Sequence, residues 1–422
     1  MEERNPVKVV DAPMGFGKTT AMIRLINEDK SDKRYMFVTP YLSEIERVKK
    51  NCTTRKFLTP EAMKNKKNEY KPLSKLVSLK NMLRKKKNIA TTHALFGKFD
   101  EETVQLISDG GYTLVMDEVA SVVFKYDISP YDAKMINTKY CGRDDDGRLF
   151  WLNDERFYYG VLDERKKMCD AGCLWYYNDT SIVRMMPKIA FDAFDDIYIL
   201  TYMFHCQLQR YYFDMFGIPF EYRYVEGNSP EEFRVTDRPL KYVIPEAREK
   251  IHICYDKKMN FIGEDKFALG KGWYERNAKT DIGKRLASNA YNFLRNRNDA
   301  HTSDVLFTSF IGENGKPMVS PQGYAKGFIP CNIRATNEYR ERAVLAYLVN
   351  RFFPPEVSGF FAKRGIKVDA DGWALSEMLQ WIWRGAIRDG GEIYIYIPSR
   401  RMRELLEDWV ERVSEGGVGV GE

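Results

Sequence analysis

No stretch of the sequence approaches the ~20 consecutive apolar residues of a membrane span, so no membrane partner is expected. The opening MEERNPVKVV is charged and runs at once into a strand-like segment, without the apolar core of a signal peptide. Cysteine is sparse. Seven are scattered over 422 residues without a repeating spacing, which argues against a disulfide framework and for a reducing, cytoplasmic location. Cys169 and Cys173 have only three residues between them, but no second pair or histidine lies nearby, so they read as structural thiols and not as a metal site. What remains, 44% hydrophobic and 30% charged, is the composition of a globular chain long enough for two or three domains.

The charge is unevenly laid. Between Arg47 and Lys87 fifteen Lys or Arg face only Glu61 and Glu69, a surplus of +13 in a chain of net +6, which leaves the rest at −7. A solvated face is the usual fate of a run such as Arg84, Lys85, Lys86 and Lys87. The density of this segment nevertheless suits a phosphate backbone, and nucleic acid is the expected partner.

The most informative stretch is DAPMGFGKTTAMI, from Asp11 to Ile23. Val7, Val9 and Val10 make a short β-branched run before it, and TTAMIRLINE carries apolar residues at helical spacing after it. A loop of Ala12, Pro13, Met14, Gly15, Phe16 and Gly17 therefore joins a strand to a helix. Its glycines allow a tight turn that aims backbone N–H groups into a hollow at a helix N-terminus, a place for an anion. Lys18 can reach terminal phosphate oxygens, the Thr19 hydroxyl is placed to hold magnesium, and Thr20 completes the set. A hydrolytic site needs acids as well. YTLVMDEVAS supplies a strand, Thr113 to Met116, that ends in Asp117 for the metal and Glu118 to orient and deprotonate water.

The set APMGFGKT, FVTPY, IATTHALF and VMDEV resembles the ordered motifs of superfamily 2 helicases, the group of DEAD-box and DEAH-box proteins. Its wording is similar to the helicase half of herpesvirus origin-binding proteins and to helicase-like proteins of bacteriophages and prophages. The resemblance implies two RecA-like phosphate-loop NTPase domains of α/β class with parallel sheets, closing on ATP and Mg2+ and moving along nucleic acid, DNA more than RNA. It places Thr39, Pro40, Thr91, Thr92 and His93 against the sugar-phosphate backbone, and Thr201, after the strand Ile197 to Leu200, at the motif that couples hydrolysis to strand separation. Tyr202 and Met203 depart from that motif's small, hydroxylated wording. Near the C-terminus SEMLQWIWRGAIRDG is similar to the arginine-finger motif. Gln380, Arg384 and Arg388 recur every four residues, which would put them on one helical face, and either arginine can be the finger.

Domain one is expected over 1–235, with an aromatic-rich, β-rich insertion at about 126–195. Domain two follows over 236–415, and 416–422 forms a disordered tail. By the same helicase resemblance, Arg334, Thr336, Asn337 and Arg340 fall where a fifth motif would lie, though not in its usual wording, and are expected to contact backbone or nucleotide. Two other classes stay open at this point: a packaging-type motor that drives duplex without opening it, and a nucleotide-dependent protein switch.

Overall fold

A computed structural model describes residues 5–62, 74–152, 163–331 and 339–421. Arg334, Thr336 and Asn337 lie outside the described residues. The chain divides into two compact units. One contains 1–11, 18–238 and 353–368, and the other 12–17, 239–352 and 369–422. The return of 353–368 to the first unit is not foreshadowed by the sequence reading.

The first unit is built on β1 (Val7–Asp11), β2 (Arg34–Thr39), β3 (Phe57–Leu58), β4 (Asn88–Thr92) and β5 (Tyr112–Asp117). The insertion then contributes β6 (Val123–Lys125), β7 (Cys141–Arg143), β8 (Leu149–Trp151), β9 (Leu174–Asn178) and β10 (Ser181–Met185). The main sheet resumes with β11 (Asp196–Thr201), β12 (Phe220–Glu226) and β13 (Arg234–Thr236). Among the described residues its order is β13-β12-β1-β11-β5-β2-β4-β3, parallel except at the β12–β13 edge. Strands covered by helices on both faces read as apolar runs, and Val9, Val10, Met36, Phe37, Leu114, Val115 and Ile199 are fully buried. The helices α1 (Lys18–Glu28), α2 (Leu42–Asn51) and α3 (Lys75–Arg84) connect the early strands.

The insertion is mixed, not mainly β. An antiparallel sheet β6-β10-β9 and a hairpin β7-β8 surround helices Pro130–Met135 and Asp163–Asp170. Its small core gathers Ala133, Ile136, Cys141, Leu149, Cys169, Leu174 and Ile182. Several of its aromatics are therefore packing residues, as Trp175 is against Phe216 and Phe360. Helix Pro355–Ala362, from the returning segment, seals this face. Lys125 pairs with Glu356, Lys363 donates to the Tyr177 carbonyl at 2.7 Å, and the Arg364 guanidinium lies 3.6 Å from the Phe360 ring centroid.

In the second unit β14 (Ile251–Ile253), β15 (Val305–Thr308), β16 (Val344–Tyr347) and β17 (Ile393–Tyr396) form a parallel sheet of order β14-β17-β16-β15. Ser399 caps the helix Arg400–Glu415 by accepting from the Met402 N–H, as its position before that run implies. The expected disordered tail is corrected. Val418 and Tyr242 exchange backbone hydrogen bonds of 2.9 and 3.1 Å, a turn that Gly417 permits with φ of +71°. Among the described residues, no helix is long and apolar enough to cross a membrane.

Candidate nucleotide site

Parallel strands present their carboxyl ends on one edge, where α/β sheets bind ligands. Here β1 ends at Asp11 and runs into the glycine loop, β5 ends at Asp117, and β11 lies between them ending at Thr201. In register, Asp11 stands beside Thr201 and Leu200 beside Asp117. The loop takes the backbone shape its glycines allow, with φ of +88° at Gly15 and +69° at Gly17. Lys18, Thr19 and Thr20 open α1.

The Thr19 Oγ1 lies 3.3 Å from Asp117 Oδ1, so the two oxygen donors expected to hold magnesium stand side by side. Their chemistry fits a hard divalent cation. Burial, then the neighbouring charges of Glu118 and Glu44, push the Asp117 carboxyl up from 3.8 to about 7, against the pull of Lys18 and Thr19. A carboxylate short of compensating charge favours a cation. Because the folded-state value lies above the unfolded one, Asp117 favours the fold most when protonated and loses that contribution as pH rises from about 4 through about 7. Without nucleotide or magnesium, the melting temperature should therefore fall more between pH 5.5 and 8 in the wild type than in Asp117→Asn. Equal falls would show that Asp117 carries no such cost.

Glu118 adopts a left-handed backbone, φ +65°, which costs a non-glycine residue on the order of 1 kcal/mol or more. Its N–H donates to the Leu200 carbonyl at 2.8 Å, and the next turn is braced where the Ala120 N–H donates to Gln209 Oε1 at 2.8 Å. These bonds hold the strained backbone in place at the end of the acid-bearing strand.

Sequence reasoning missed two members of this edge. Glu44 bears on Asp117 from α2, and its partner Arg47, 3.1 Å away, also donates to Thr20 Oγ1 at 2.8 Å. Asp11 is 1% exposed, and its carboxylate accepts from the N–H groups of Met203 and Phe204 at 3.0 and 2.8 Å. An acid beside the loop was visible in the sequence, but its partners almost two hundred residues away were not.

The polymer-facing set needs correction. Thr39 and Thr91 are buried, and Thr39 Oγ1 lies 3.5 Å from Asp117 Oδ2, so these side chains are out of reach of a surface ligand. The His93 ring nitrogen Nε2 is 2.8 Å from the Asp117 carbonyl oxygen, to which it donates, and so His93 also touches the acid strand. Pro40 and Thr92 stay half-buried at the same edge. Thr201 is fully buried, its hydroxyl without a hydrogen-bond partner among the described residues. In the basic segment Lys80 binds Asp100 and Glu102 at 2.7 and 2.6 Å, and Arg84 pairs with Glu102. Lys85, Lys86 and Lys87 are exposed. Replacing those three lysines by alanine should lower the slope of log affinity for nucleic acid against log salt by about 2, whereas Arg84→Ala should change it little. An unchanged slope in the triple variant would return the run to a solvated face.

Gln380, Arg384 and Arg388 do not share one helical face. Helix Ala370–Ile382 stops before Arg384, and Arg388 lies on the short 3-10 turn Ala386–Asp389. Past the helix end, Gly385 lies where a Cβ would come 2.7 Å from the Arg342 carbonyl oxygen, so a larger residue would not fit there. Arg384 is 3% exposed, inside the second unit, while Gln380 and Arg388 are half-buried. Arg340 approaches Asp389 of the same turn at 3.5 Å.

The fold and this edge define an α/β phosphate-loop protein whose second unit also carries a parallel sheet. Residues 245–410 match the family described as the YonV C-terminal Rossmann-like domain. Over 416 residues, 96% of this chain and 98% of its relative, the sequence is 40% identical to the SPbeta prophage-derived uncharacterized protein YonV of Bacillus subtilis (strain 168). The chain belongs to the YonV family. Among solved structures it is similar to S. tokodaii Xpd4, with 13% identity, TM-score 0.47, and 96% of this chain and 94% of that one covered. It is similar also to the DUF1998 helicase MrfA bound to DNA and AMPPNP, with 12% identity, TM-score 0.36, and 97% and 49% covered. Both likenesses are weak, and the functional reading rests on the residues of this chain.

Proposed function

We propose that the protein is an ATP- and magnesium-dependent nucleic-acid helicase or translocase of phage type, acting on DNA. The observation that carries this is the convergence on one sheet edge of Lys18 and Thr19 with Asp117 and a strained Glu118. Loop N–H groups and Lys18 would hold the phosphates. Thr19 and Asp117 would hold magnesium, which supplies charge neutralisation for the leaving phosphate. Glu118 would orient water and accept its proton. The exposed lysines beyond α3 and the half-buried Pro40 and Thr92 fit the sequence-independent grip of a motor.

The test is turnover of ATP with and without single- and double-stranded DNA and RNA. Single-stranded DNA is expected to raise turnover at least severalfold, with EDTA abolishing it. Stimulation by duplex alone would point to a motor that does not part strands, and stimulation by no polymer would remove nucleic acid from the reading.

A further inference from the structure

Asp11 is the last residue of β1, immediately before the glycine loop, and belongs to none of the roles described so far. Its carboxylate is turned sideways, under the carboxyl end of β11, and bonds the N–H groups of Met203 and Phe204. Met203 is the one residue of that turn in the left-handed region, with φ of +56°. Methionine does not adopt this conformation cheaply, so the two charge-assisted bonds hold it there. The same turn is anchored on its far side. Phe204 is fully buried against Phe213 and Phe220, and the Cys206 thiol donates to the Met203 carbonyl at 3.1 Å. The following helix, Leu208–Phe216, carries Gln209, which binds the Ala120 N–H two residues beyond Glu118. One short segment thus joins the start of the phosphate loop to the end of the acid motif.

We infer that Asp11 is a positioning residue that links occupation of the phosphate loop to the conformation of the turn Thr201–Cys206, and through Gln209 to the segment carrying Glu118. A loop that tightens on phosphate shifts the end of β1. Because Asp11 stands at that end, its carboxylate passes the shift to Met203 and Phe204, whose carbonyls are in turn tied to Cys206 and Gln207 of the same segment. The inference deepens the nucleotide-site reading and rests on it, but it needs no polymer.

Hydrogen exchange of the full chain tests it, comparing peptides covering 201–206 with and without a non-hydrolysable ATP analogue and magnesium. In the wild type, analogue binding should change exchange at Met203 and Phe204 at least fivefold. In Asp11→Ala that change should vanish while analogue affinity stays within about threefold. Adding Met203→Gly, which takes the left-handed conformation without help, should restore order in the turn but not its response to nucleotide. Asp11→Asn, which keeps the size and one good acceptor, is expected to fall between. If wild-type protein binds no analogue, the nucleotide-site reading itself fails. If it binds but 201–206 does not respond, or responds equally in Asp11→Ala, the inference is wrong. Thermal melting of each variant separates loss of coupling from loss of fold: a response that disappears only in proportion to lost stability also overturns the inference.

Discussion

Glu118→Gln is expected to bind ATP within about threefold of wild type and to turn it over some 10²–10⁴ times more slowly, the usual loss when a general base is removed. Glutamine keeps the length and the hydrogen-bond acceptor but cannot take a proton. The strained backbone at 118 makes the comparison clean, because the substitution leaves φ and the bond to Leu200 as they are. Single-turnover and equilibrium binding measurements together decide it. Turnover within fivefold of wild type would remove Glu118 as the base and leave the strain at 118 without a chemical reason.

The second large effect is expected at Arg388. The resemblance to the arginine-finger motif leaves Arg384 and Arg388 as equal candidates, but their surroundings differ. Arg384 is 3% exposed, so its guanidinium is part of the second unit's interior, and Arg384→Ala should lower the melting temperature by several degrees. Arg388 is half-buried on the short turn Ala386–Asp389, outside that interior. Arg388→Ala should lower melting less than Arg384→Ala does and lower kcat by ~10³ or more, with ATP affinity nearly kept. Unchanged kcat in Arg388→Ala, with a loss in Arg384→Ala beyond what its stability explains, would reverse the assignment.

Local structure was legible in the sequence. The glycine loop, Lys18, Thr19 and the acids after an apolar strand announce themselves because a strand, a turn and a helix start each need their own residue types within a dozen positions. The parallel strands were legible for a similar reason, since burial on both faces leaves unbroken apolar runs. What was not legible depended on partners distant in sequence. Asp11 looks like a loop residue until β11 is laid beside β1. Thr39 and Thr91 look like surface hydroxyls until their neighbours close over them. The spacing of Gln380, Arg384 and Arg388 suggested a continuous helix, but the helix ends at Ile382 and Arg388 falls on a separate 3-10 turn, a break set by the fold and not by the spacing. The C-terminal glycines suggested disorder, yet the same freedom of φ lets Gly417 turn Val418 onto Tyr242.

Helix Pro355–Ala362 bears on how this chain can be handled as separate pieces. It is encoded more than a hundred residues after Arg238, yet it covers Trp175 and engages Tyr177 and Lys125 in the first unit. A fragment ending at Arg238 would expose that aromatic face to water and should aggregate, and one beginning at Pro239 would carry an apolar helix that its partners no longer cover. No single scission yields two self-sufficient halves. During synthesis the first unit cannot be completed until residues 353–368 have emerged.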